Sequence, residues 1–177
     1  EKYFKAPKSK FATTFLLPNM PADAAPDAYG VGDVVQPKQW VAYYKGKIAA
    51  PETGRYRFCG LGDDVLMVRI KKRLAIDANW PGIKGKITDW DSRDENNRKF
   101  PVVGNTKMVI GDWFHLTKGK AVDMEVLIGE QPGGWFFCQL FIEQDDAEYK
   151  MVQTEAGLRP VLPIFKTVDI PDALLPK

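Results

Sequence analysis

The sequence predicts an all-β domain, an antiparallel sandwich or barrel, on three observations. Short runs rich in Val, Ile, Phe, Tyr and Trp recur along the chain, bounded by Gly, Pro, Asn or Asp. Several runs alternate: Tyr56 and Phe58 stand against Arg55 and Arg57, and Val122, Met124, Val126 and Ile128 against Asp123 and Glu125, as in strands with one buried face. No segment sustains the helical apolar period. Strands of this kind cover their apolar faces by pairing two sheets or by closing one sheet on itself.

In order, the candidate strands are "FATTFLLP" from Phe11, "WVAYYKGKIAA" from Trp40, "GRYRFCGL" from Gly54, "DVLMVRI" from Asp64, "RLAID" from Arg73, "KMVI" from Lys107, "WFHL" from Trp113, "AVDMEVLIG" from Ala121 and "WFFCQLFIEQ" from Trp135. "APETG" and "LTKGKA" read as turns, from their Pro and Gly. "VRIKKRLAID" reads as a hairpin turning at Lys71 and Lys72. A two-residue hairpin turn favours Asn-Gly or Asp-Gly, so lysines there predict a longer or strained turn. Residues 19–39 and 79–101 read as irregular, and a loop as long as the second is usually functional or disordered.

A chain of 177 residues with 45% hydrophobic content builds one substantial core. The expected layout is a single domain over residues 1–165 and an extended, proline-containing tail over 166–177. Lys and Arg total 25 against 23 Asp and Glu, and the basic residues are dispersed, which argues against a nucleic-acid stripe or a polybasic membrane anchor. No apolar run is long enough for a membrane-spanning helix. The first ten residues lack the apolar core of a signal peptide. Cys59 and Cys138 fit either one long-range disulfide or two buried thiols.

"GDD", at Gly62, Asp63 and Asp64, puts two like charges where a strand enters the core. Backbone hydrogen bonds in a turn, an arginine partner or a metal ion each account for such a pair. Catalysis is not expected. The single histidine, His115, leaves a zinc site or a histidine-based triad without partners. Adjacent carboxylates on one turn seldom face each other across a glycosidic bond. "PGIKGK" lacks the spacing of a phosphate-binding loop. Trp80 and Trp90, in the polar loop after the acidic pair, are candidates for a platform on which a sugar ring stacks, or else pins for that loop.

The succession of "WVAYYKGKIAAPETGRYRF", "GDDVLMVRI", "LAID" and "GKAVDMEVLIGEQPGGWFFCQL" resembles the PA14 domain family, over most of the chain. That resemblance implies a β-sandwich module of exported, extracytoplasmic proteins, which include adhesins, toxins and glycosidases. In the adhesin branch two consecutive aspartates, joined by a cis peptide, hold a calcium ion that also takes sugar hydroxyls. Carried over, Asp63 and Asp64 become ligands of a calcium ion, and the loop that follows offers Asp91, Asp94, Asn96 and Asn97 as further oxygen donors, with Trp80 and Trp90 beside the glycan. The function expected is a non-catalytic, secreted carbohydrate-binding or adhesion module. The alternative is a structural or protein-interaction domain of a larger assembly, its partner a protein and its aspartates only shaping a turn.

Overall fold

The structure is a computed structural model and describes residues 5–83, 85–93, 102–103, 106–131, 133–154 and 157–167. Along these residues run β1 (Leu16–Pro21), a short 3-10 turn (Ala22–Ala24), α1 (Ala25–Ala28), β2 (Trp40–Ile48), β3 (Gly54–Asp63), β4 (Val65–Ile70) and β5 (Arg73–Asp77). There follow β6 (Val102–Val103), β7 (Thr106–Lys107), β8 (Val109–Ile110), β9 (Phe114–Leu116), β10 (Val122–Glu130), β11 (Trp135–Gln144), β12 (Met151–Thr154) and β13 (Gly157–Pro160). One sheet has the order β1-β11-β3-β8, with β9 also paired to β3; the other has the order β2-β10-β4-β5. Their ladders are antiparallel, so the expected sandwich is observed.

The alternation read from the sequence sets which residues meet between the sheets. Phe58 and Leu140 from one sheet and Val68, Ile76, Val126 and Ile128 from the other are buried in a single cluster. Each such side chain contributes about 1.5 to 3 kcal/mol by leaving water. Phe165 closes one end, stacked on Phe15 at 6.4 Å and held by a hydrogen bond from its backbone N–H to Leu140 O. The following chain lies against residue 13, where Thr167 N–H donates to Thr13 O.

Some elements differ from the expectation, and others settle alternatives it left open. The first strand begins at Leu16, because Phe11 is exposed and makes no ladder. The 19–39 stretch contains a short helical segment whose Ala22 and Ala25 pack on Phe136; small side chains let it approach, and Pro26 suits the first helical turn. Arg57 points outward as its strand demands, yet is buried: Glu143 pairs with its Nε at 2.6 Å and Trp113 stacks over the guanidinium at 4.4 Å. The β4–β5 turn is as short as two residues, Ile70 pairing with Arg73, and both Lys71 (φ 50°) and Lys72 (φ 67°) adopt the left-handed conformation. Cys59 and Cys138 are free and buried. Burial pushes the Cys138 thiol up to about 12, which suppresses its thiolate chemistry.

Candidate metal and ligand site

The chain leaves one sheet at Asp63, the last residue of β3, and enters the other at Val65, so Asp64 alone bridges the layers. The Asp63–Asp64 peptide bond is cis. So abrupt a crossing needs Gly62 in front of it. A Cβ on Gly62 would lie 2.6 Å from Leu66 Cβ and 2.9 Å from Leu66 N, inside contact distance of backbone that cannot retreat.

Neighbouring segments fasten this crossing. Asp64 N–H donates to Gly129 O at 3.2 Å, and Trp80 N–H donates to Asp64 O at 2.8 Å. Gln131 N–H donates to Asp64 Oδ2 at 2.7 Å, which ties the carboxylate to the β10–β11 connection. Gly62 N–H donates to Ala78 O, and Leu66 N–H donates to Asn79 Oδ1, both at 2.8 Å. Asn79 is fully buried, and among the described residues its Nδ2 has no hydrogen-bond partner. Asp77, also fully buried, accepts from Asn79 N–H and from Thr88 Oγ1, and so holds the turn that presents Asn79.

A third carboxylate joins the pair. Glu130 ends β10 with a relative exposure of 2%, and neither of its carboxylate oxygens has a hydrogen-bond partner among the described residues. Burial, then the charges of Asp64 and Asp63, push its carboxyl up to about 8. The Asp63 carboxyl is pushed up to about 6 by burial first, then by the charge of Asp64 and the hydrogen bond between the two side chains. Three acids thus crowd one end of the sandwich. The Glu130 cross-strand partner, Trp40, lies against Tyr29 and Phe136, and its Nε1 is buried without a partner among the described residues.

The other sequence candidates separate. Trp80 sits at the acidic pair through its backbone bond to Asp64, and its half-buried ring meets Phe137 edge-on at 6.1 Å; Phe137 is the cross-strand partner of Asp63. Trp90 turns elsewhere: its Nε1 donates to Asp112 Oδ2 at 3.3 Å, and its ring packs on the main core. Asp91 is exposed and accepts from Ser92 N–H at 2.9 Å. Asp94, Asn96 and Asn97 lie outside the described residues. Glu130 and Asn79 were not foreseen. For Glu130 a signal existed, since continuing the alternation of Val126 and Ile128 by one step places it on the inward face.

No family model matches the sequence, and no curated protein matches it. Solved structures resemble it to different degrees. The PA14 domain of the MpAFP antifreeze protein has a TM-score of 0.54 at 14% identity, over 88% of this chain and 69% of that one. The PA14 sugar-binding domain from an RTX adhesin has a TM-score of 0.49 at 13% identity, over 77% of this chain and 70% of that one. The beta-glucosidase from Kluyveromyces marxianus in complex with glucose has a TM-score of 0.38 at 20% identity, covering 60% of this chain and 11% of that one. A two-sheet antiparallel sandwich crossed by an acidic turn thus has the fold of the PA14 domains. Among the described residues no helix is long and apolar enough to cross a membrane.

Proposed function

We propose that this chain is a non-catalytic carbohydrate-binding module of adhesin type that works outside the cytoplasm and holds a calcium ion through Asp63 and Asp64. The observation that carries this reading is the crowding of Asp63, Asp64 and Glu130, with the Glu130 oxygens buried and unpartnered among the described residues. Crowded carboxyls are relieved by protons, which is what raises Glu130 and Asp63, or by a cation that displaces those protons, and a set of oxygen donors without sulfur or imidazole suits a hard cation such as calcium. Among the described residues no group of three or more His, Cys, Asp or Glu side chains is placed to hold a metal ion, so on this reading the ligands are Asp63 and Asp64, and Glu130 is a neighbouring acid rather than a third ligand. Calcium takes six to eight oxygens, so on this reading backbone carbonyls, water and the hydroxyls of the sugar complete its shell. The bound ion supplies the charge that orients those hydroxyls. Gly62 and the Gln131 N–H set where the carboxylates stand, and Trp80 offers the ring beside them.

A second reading has its own support. Asp64 Oδ2 accepts the Gln131 N–H, a contact that shapes the turn with no metal involved. Thermal unfolding separates the two. After EDTA treatment, calcium at a hundredfold excess over its dissociation constant is expected to add about 2.7 kcal/mol, or about 5 to 10 °C in Tm for a chain of this size. Asp63→Asn should abolish that rise, and glycan binding on an array should disappear with EDTA. No rise with calcium, together with an Asp64→Asn variant destabilised equally with and without chelator, would leave the aspartates as a turn and make a protein the partner to seek.

A further inference from the structure

The end of the sandwich opposite the acidic turn has a groove of its own. It measures about 810 Å³ and is lined by the β4–β5 turn, Arg93 and the segment leading into β9. Asp64 precedes β4 and Lys71 follows it, so at about 3.3 Å per residue the two ends stand roughly 20 Å apart. The geometry points to a second binding site here, for the carboxylate or sulfate groups of an acidic saccharide.

Lys71, Arg73, Arg93 and His115 line the groove, and among the described residues Asp112 is its one acidic lining residue. Asp112 is engaged elsewhere: its Oδ2 accepts from Trp90 Nε1, and its N–H donates to Ala75 O. The strand arginines Arg55, Arg57 and Arg69 are ion-paired with Asp145, Glu143 and Glu125. Arg73 and Arg93 have no ion pair among the described residues, and Lys71 Nζ reaches only the His115 carbonyl, at 3.1 Å. Three cationic side chains, Lys71, Arg73 and Arg93, therefore line one concavity with no carboxylate partner among the described residues, beside the His115 imidazole, the arrangement that recognises oxyanions.

The turn supplies an independent observation. Lys71 and Lys72 both hold positive φ, where Asn-Gly would cost less. Breaking a local preference is the mark of a functional position, and one of these lysines lines the groove. Among polyanions a saccharide fits better than a nucleic acid. Base stacking needs an open aromatic face, whereas the Trp113 ring lies under Arg55 and Arg57 and Phe114 lies against Phe58. Ile70, Leu74 and Ala75 leave an aliphatic floor for a sugar ring. The choice of a saccharide rests on the glycan reading above; the preference for an anion does not.

The test is calorimetric titration of the whole chain, in EDTA, with a short oligogalacturonate, its uncharged methyl ester, inorganic sulfate and a single-stranded oligonucleotide. The expected result is binding of the charged saccharide, weakened by salt, and none of the ester. The double variant Lys71→Asn with Lys72→Gly should lose about tenfold in affinity while its Tm holds or rises, because the new residues suit the turn. Lys86→Gln with Lys150→Gln, an equal change of charge at exposed positions outside the groove, should bind as the parent does. Equal binding of acid and ester, full competition by inorganic sulfate, tighter binding of the oligonucleotide, or an unchanged affinity in the turn variant would each overturn the proposal. Because EDTA is present and Asp63→Asn should bind normally here, failure of this site leaves the calcium reading standing, and the reverse holds too.

Discussion

Strand β4 has like charges at both ends, Asp63 and Asp64 before it and Lys71 and Lys72 after it, and the two pairs meet different fates. The aspartates sit where the chain crosses between sheets, beside buried Glu130, and desolvation raises the carboxyls of Asp63 and Glu130. The lysines stand at an exposed hairpin tip, where water screens them. Crowded charge is tolerable in water and costly in the core. The cation proposed for the acidic end would therefore add stability, whereas the ligand proposed for the basic end would serve binding alone. Arg57 and Glu143 are the internal reference, a largely buried charge pair with each partner already in place.

The sharpest test of that contrast is Arg57→Ala. It leaves Glu143 without its cation and uncovers Trp113, so a loss of about 3 kcal/mol or more is expected, seen as a fall in Tm of about 10 °C. A loss below about 1 kcal/mol would place this pair with ordinary exposed ones. Next comes Gly62→Ala, which drives a methyl group into Leu66 and should cost about 1 to 3 kcal/mol by chemical denaturation. Any calcium-dependent rise in Tm should shrink with it, since the crossing that holds the aspartates must move.

Glu130→Gln should act in the opposite direction. A carboxyl whose folded value is raised adds stability that is complete below its unfolded value, near 4.5, and is lost as pH climbs through about 8. The metal-free parent should therefore lose stability between mildly acidic and mildly alkaline pH, with Asp63 contributing the part lost by about pH 6. Glutamine does not ionise, so this variant should melt a few degrees above the parent at pH of about 8 and converge on it as the pH falls toward 5. Parallel pH profiles for parent and variant would mean that Glu130 finds compensation the acidic end does not display. The smallest effect belongs to Lys47→Ala. Its pair with Asp123 is short, 2.6 Å, but more than half exposed on both sides, and its removal should leave the melting temperature unchanged within the error of a thermal scan.

Local pattern went furthest in β10. There the alternation of Val122, Met124, Val126 and Ile128 named the buried face, and the same rule extended to Glu130 identifies the third carboxylate. It went least far at Arg57, where alternation is obeyed yet the residue is buried, because Trp113 and Glu143 arrive from distant positions to cover it. Trp80 and Trp90 show the same limit within one loop. Their types and spacing are alike, but one meets Asp64 and Phe137 while the other meets Asp112.

By itself the sequence determined the all-β class, the inward residues of the long strands and the acidic turn as the point of interest. Those depend on a period of two and on side-chain type, which are local properties. Only the tertiary structure decided that Asp63 and Asp64 lie at the switch between sheets, that Glu130 and Asn79 are buried beside them, and that Lys71, Arg73, Arg93 and His115 line one groove. Each of those facts joins residues from separate segments, and contacts between segments follow from how two twisted sheets stack, which the local pattern does not encode.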